Sequence, residues 1–113
     1  MYVYLMAAAD DWHKIGISTN PVARRPNAGM TCPVKGYTEL IMAVQVPPDK
    51  AYSIEQSALI GVKGEWHPRA SEWRRASRMR CYKAIHKALR KHGVAHPKRL
   101  KFRKSHIKAG WHP

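Results

Sequence analysis

The second half of this 113-residue chain has almost no acid. After residue 60 only Glu65 and Glu72 stand against sixteen Lys and Arg, whereas residues 1–60 hold five basic and five acidic residues. The whole formal charge of +14 therefore belongs to residues 61–113. Cysteine is scarce too. Cys32 and Cys81 stand alone, which excludes a disulfide framework and reads as two reduced thiols. Seven histidines and two cysteines never fall into paired ligand spacing, so a structural zinc site is not expected. No apolar run approaches the roughly 20 residues of a membrane span. The N-terminus also lacks the basic-then-apolar layout of a secretory signal. The expectation is a cytoplasmic, non-secreted protein without repeats or low-complexity tracts.

What is present is globular: 44% hydrophobic and 25% charged residues, enough for one domain with a modest core. A neutral half joined to a strongly cationic half reads as a folded or catalytic part joined to a polyanion-binding part. Nucleic acid is the natural partner, because each neutralised phosphate releases condensed counterions. A membrane surface fits less well, since the basic helix described below is short of bulky apolar residues.

Tyr2-Val3-Tyr4-Leu5-Met6 reads as a strand, Asp10-Asp11 as a turn, and His13 to Ser18 as a second strand in a hairpin. Asn20 or Thr19 caps a short helix that opens on Pro21 and is stopped by Pro26 and Gly29. Gly36 opens a third strand, Tyr37 to Val46. Pro47-Pro48-Asp49 starts a helix to about Ile60, with Ala51, Ile54, Ala58 and Leu59 at helical spacing and Glu55 among them. A loop follows through Ala70. Ser71 then caps a long helix, 71–92, whose Cys81, Ala84, Ile85, Ala88 and Leu89 gather on one face. Arg80, Lys83, Lys87 and Arg90 gather on the other. Residues 93–113 read as a basic arm, ordered on a partner, which adds Lys98, Arg99, Lys101, Arg103 and Lys104 to the expected nucleic-acid-binding set. The expected fold is α/β (α+β): a small three-stranded, mostly antiparallel sheet flanked by helices, with residues 1–92 as the domain and 93–113 as the arm.

Tyr2-Val3-Tyr4 precedes Lys14-Ile15-Gly16 by ten residues, Arg24 follows Gly16 by eight, and Glu55 lies on a later helix. In this order the motifs resemble the GIY-YIG nuclease superfamily, most closely its small T5orf172-like branch of phages and bacteria with a Lys-Ile-Gly second motif. That branch carries a Glu-Trp pair after the glutamate helix. Glu72-Trp73 fits it better than Glu65-Trp66. The resemblance covers about residues 1–75. It implies a GIY-YIG-like fold and metal-dependent hydrolysis of phosphodiester bonds in DNA, in a bacterial or phage-infected cell. It also implies catalytic roles for Tyr4, Lys14, Arg24 and Glu55, with Glu55 as ligand to a divalent metal, Mg²⁺ or else Mn²⁺. Tyr2, His13, Arg25 and Glu72 are neighbours of such a site. Asn27 and Ala28 stand where some members place a histidine or tyrosine, and Lys14 replaces a common second tyrosine, so the general base is left open.

The chemistry can be argued from the residues alone. Attack on a phosphodiester adds negative charge to non-bridging oxygens, which a fixed guanidinium such as Arg24 stabilises. A hard cation takes carboxylate oxygen and keeps several waters, so Glu55 with substrate phosphate suffices. A phenol titrating near 10 is a poor base at neutral pH. Lys14, across the hairpin from Tyr4, would lower that value or contact the phosphate directly. Trp66, Trp73, Phe102 and Trp111 lie among Lys and Arg, where they either stack on unpaired bases or pack in the domain. The competing readings are a nucleic-acid-binding module on the same fold that does not cut, and a basic structural protein in which the spacing is coincidence. In the bland reading Tyr4 is a strand aromatic, Lys14 an edge-strand charge and Arg24 a solvated helix residue.

Overall fold

The computed structural model describes residues 1–24, 32–33, 38–67, 70–102 and 108–109. Expectations for Arg25, Pro26, Asn27, Ala28, Gly29, Gly36, Tyr37, Arg103, Lys104 and Trp111 lie outside the described residues. In chain order the elements are β1 (Tyr2–Ala7), a 3₁₀ turn (Ala9–Asp11), β2 (Trp12–Ser18) and helical residues 21–24 (α1). Then come β3 (Thr38–Gln45), α2 (Pro48–Val62), β4 (Glu65–His67), β5 (Ala70–Arg75), α3 (Arg78–Lys91) and β6 (Lys108–Ala109).

The β1–β2 hairpin forms as its alternation demands. It turns through Asp10 and Asp11, both at positive φ, a conformation that Asp tolerates better than most residues. Asn20 caps α1, its Oδ1 accepting from the Ala23 amide at 3.3 Å. The strand order is β4-β5-β2-β1-β3-β6, and every neighbouring pair is antiparallel. The fold is thus α+β, but with a wider sheet than the three strands expected.

The added strands come mainly from the segment read as a loop and a helix start. Residues 70–75 are strand, not helix, and the long helix begins after Ser77, whose Oγ accepts from the Arg80 amide at 3.2 Å. Ser71 and Glu72 have the composition of a cap and a first turn. That local preference yields to pairing with β2 and to burial of Trp73 against Trp12 and Ala70, both long-range effects.

The sheet is covered on both faces. On one, Val3, Leu5, Ile15, Met42 and Val44 pack under the apolar stripes of α2 and α3. On the other, Tyr4, Met6, Leu40 and Ala43 form a second cluster with Val22 of α1 and with Leu100 and Phe102. Those last two belong to the expected arm. Its described part lies along β3: the Leu100 amide donates to Ala43 O at 2.9 Å and the Gln45 amide to Lys98 O at 2.8 Å. Residues 98–102 therefore order on the protein's own sheet, where Leu100 and Phe102 supply apolar cover to β1 and β3. Among the described residues no helix is long and apolar enough to cross a membrane.

Candidate active site

The site forms where the sheet is incomplete. β5 pairs with Trp12, His13 and Lys14 of β2, and among the described residues nothing pairs with the outer edge of β2 beyond them, toward Ser18. There the Ile17 amide donates to the carboxylate of Glu55, which α2 holds over this edge. Glu55 is only 5% exposed. It is one of the buried residues of that helix, with Ala51, Ile54 and Ala58, and Gln56 donates to its Oε1 at 3.0 Å. Burial pushes the Glu55 carboxyl above the ordinary carboxylate range, and the nearby Glu72 charge pushes it further. Gln56, Lys14 and the Ile17 amide pull it partly back.

Tyr4 sits opposite Gly16 in the hairpin register. Its ring lies so close over Gly16 that a Cβ there would stand 2.5 Å from Cζ and closer still to Oη. Only glycine leaves room for that ring. The phenol is 1% exposed and accepts a hydrogen bond from the Arg24 guanidinium. Burial first, then Glu72, raise its pKa to about 12, although Arg24 opposes the shift. At neutral pH Tyr4 is therefore a neutral phenol.

This corrects the expectation for Lys14. Its register partner in β1 is Met6, not Tyr4, and its ammonium lies 3.5 Å from the Glu72 carboxylate. A lysine spent on Glu72 does not lower the phenol's pKa, and the phenol's surroundings move it the opposite way.

Tyr4 thus comes within electrostatic reach of Arg24 and Glu55, and Glu55 within reach of Lys14, although the four residues sit on four different elements. Glu72 joins them from β5, more centrally than its place as a neighbour implied, since it acts on both Tyr4 and Glu55. Glu65 does not: it is exposed and lies 3.7 Å from Arg75. His13 is not available to the site. Its buried Nδ1 sits between the carbonyl oxygens of Asp11 (3.0 Å) and Ala76 (2.9 Å), and burial holds its pKa below the usual imidazole value. Tyr2 packs at the margin of the Tyr4 cluster.

The expected nucleic-acid-binding residues divide as the helical wheel requires. Arg80, Lys83, Lys87 and Arg90 are exposed on α3, with Cys81, Ala84, Ile85, Ala88 and Leu89 buried beneath them. Lys98, Arg99 and Lys101 are exposed on the described part of the arm, and Arg99 lines a groove with Lys83, Lys87 and Arg90.

Sequence reasoning missed the cleft beside Glu55. It measures about 400 Å³ and lies between α2 and the β4–β5 hairpin, with Tyr52, Gln56, Trp66 and Arg74 on its walls beside Glu55 and Glu72. The helical half was legible, since Tyr52, Glu55, Gln56 and Leu59 share one stripe at three- and four-residue spacing. The strand half was hidden by reading 71–75 as helix.

The donor set bears on the metal as well. Among the described residues no three of His, Cys, Asp and Glu come together as a metal cluster. A cation held by Glu55, with Glu72 beside it, would complete its shell with water and phosphate, which suits Mg²⁺ or Mn²⁺ rather than zinc. A carboxyl whose proton affinity is raised by a neighbouring carboxylate is also an arrangement that a divalent charge relieves. In comparisons with protein-family models, curated proteins and solved structures, nothing matches this chain.

Proposed function

We propose that the chain is a metal-dependent endonuclease that hydrolyses phosphodiester bonds in DNA through a GIY-YIG-like site. The observation that supports this reading is the chain of interactions in which Glu72 acts on Tyr4, Glu55 and Lys14, while Arg24 acts on Tyr4. Arg24, oriented by Tyr4, supplies a fixed positive group for the charge that develops on the phosphoryl oxygens. Tyr4 acts as a neutral phenol that positions, not as a base. Lys14 exchanges Glu72 for a substrate phosphate, and the freed Glu72 carboxylate is then available to take a proton from water. Glu55 holds the divalent metal, whose contribution when bound is to neutralise phosphate charge and lower the pKa of water. The exposed cations of α3 hold the nucleic acid backbone.

A second reading, a binding module that does not cut, draws on the same Tyr4: its hydroxyl is buried and bonded, so the first-motif residue supplies no base at neutral pH. One experiment separates the two. Supercoiled DNA is incubated with Mg²⁺ or Mn²⁺, beside a chelator control and the Glu55→Ala variant. Metal-dependent nicking that vanishes in the variant is the expected outcome. Undiminished DNA binding with no nicking in any metal would establish the binding module instead.

A further inference from the structure

The cleft beside Glu55 has a composition that phosphate chemistry alone does not require. Tyr52 is 65% exposed on α2 and Trp66 is 56% exposed on β4, yet both line the same cleft as Glu55 and Glu72. Large aromatics left in water on two facing elements are uncommon in a small domain whose other described tryptophans, Trp12 and Trp73, are buried to 6% exposure or less. The fourth wall is cationic. Arg74, which faces Trp66 in the β4–β5 register, is held by hydrogen bonds from Nη1 to the carbonyl oxygens of Ser71 and Trp73. Its guanidinium is thereby tied to the β5 backbone, and Arg74 lines the same cleft as Trp66.

We infer that this cleft is a nucleotide subsite: Tyr52 and Trp66 stack an unpaired nucleobase, and Arg74 takes the phosphate attached to it. The inference rests on the nuclease reading for its substrate class and deepens it. In a continuous duplex the base faces are already stacked on one another, so a pair of exposed aromatics can act only on single strands or on an extruded nucleotide. The subsite adjoins Glu55, so the phosphate linked to the stacked base is delivered to the carboxylate pair. Gln56 and Ser71 on the cleft walls offer polar groups to a base edge without the geometry of a strict code, so the preference is for an unpaired structure more than for a sequence.

The test measures binding and cutting separately. Fluorescence anisotropy with a labelled single-stranded oligonucleotide and with the matched duplex is carried out in chelator. It compares wild type with Trp66→Ala, Trp66→Phe, Tyr52→Ala and Tyr52→Phe. Each alanine variant should weaken single-strand binding about tenfold, leave duplex binding within about twofold, and be rescued by its phenylalanine counterpart. Cleavage of a substrate with an unpaired segment should then be lost selectively in the alanine variants. Equal effects on both substrates, no effect on either, or failure of the wild type to bind single strands would overturn the inference. Intact stacking with no cleavage in any metal would overturn the nuclease reading alone. Because both aromatics are exposed, the alanine variants keep the fold, which circular dichroism verifies.

Discussion

At the scale of single residues, the position of Glu55 sets its charge against stability. Its carboxyl is held above the ordinary range, by burial first and by Glu72 second, so the folded chain binds that proton more tightly than the unfolded chain does. The sign follows: Glu55 leaves stability intact below the ordinary carboxylate pKa and lowers it as pH rises through the raised one. Glu55→Gln keeps the side chain's shape and an acceptor for the Ile17 amide but removes the charge. The variant is expected to melt at a higher temperature than wild type at pH 7.5, with the difference shrinking toward pH 4. The same variant loses metal-dependent cleavage. Calorimetry at the two pH values checks the first half, and a nicking assay the second. A variant that melts lower at pH 7.5 would mean that the Gln56 and Ile17 hydrogen bonds outweigh the desolvation of the charge. Gly16 is the other residue whose identity the site dictates, because Tyr4 occupies the space of its missing side chain.

At the scale of elements, the first half of the chain could be read from its own sequence, and residues 61–77 could not. β1, β2, β3 and α2 are announced by alternation, by Asn20 and Pro21, and by the apolar stripe around Glu55, all local signals. The family resemblance implied one site for Tyr4, Lys14, Arg24 and Glu55, but it did not give the partner of Lys14, since Glu72 reaches it only through the β2–β5 pairing. β5 is misread because a serine followed by a glutamate imitates a capped helix, while the deciding interaction, Trp73 under Trp12, lies about 60 residues away along the chain. The difference between the two serines is measurable. Ser77→Ala removes the side-chain acceptor of the Arg80 amide and is expected to cost about 1 kcal/mol in urea unfolding. Ser71→Ala, at an exposed strand position, is expected to stay within about 0.5 kcal/mol of wild type. The reverse ranking would place the helix start at Ser71.

At the scale of the whole molecule, the split between a neutral and a cationic half is a property of the sequence and not of the site. The strand order inserts β5 against β2, so Glu72 and Arg74 from the cationic half complete a site whose other members come from the neutral half. The rest of the excess charge goes elsewhere: to the outer face of α3, and to the segment along β3, where Arg99 meets Lys83, Lys87 and Arg90 around one groove of about 600 Å³. The proposed catalysis and the proposed backbone binding should therefore separate experimentally even though their residues intermingle along the chain. Replacing Arg80, Lys83, Lys87 and Arg90 together by Gln removes four exposed cations without touching the buried face of α3 or any group near Glu55. DNA affinity should fall steeply at low salt. The slope of log K against log salt should shrink by about 0.9 for each phosphate left unneutralised on duplex DNA, or about 0.7 on single strands. On the proposed nuclease reading, the cleavage rate at saturating DNA should stay close to that of wild type, because these cations do not line the cleft beside Glu55. Affinity titrations at several salt concentrations, paired with single-turnover cleavage, measure both quantities. An unchanged slope would move the clamp off α3 and onto the arm, whereas an unchanged slope together with a collapsed turnover would place these cations in the chemistry itself.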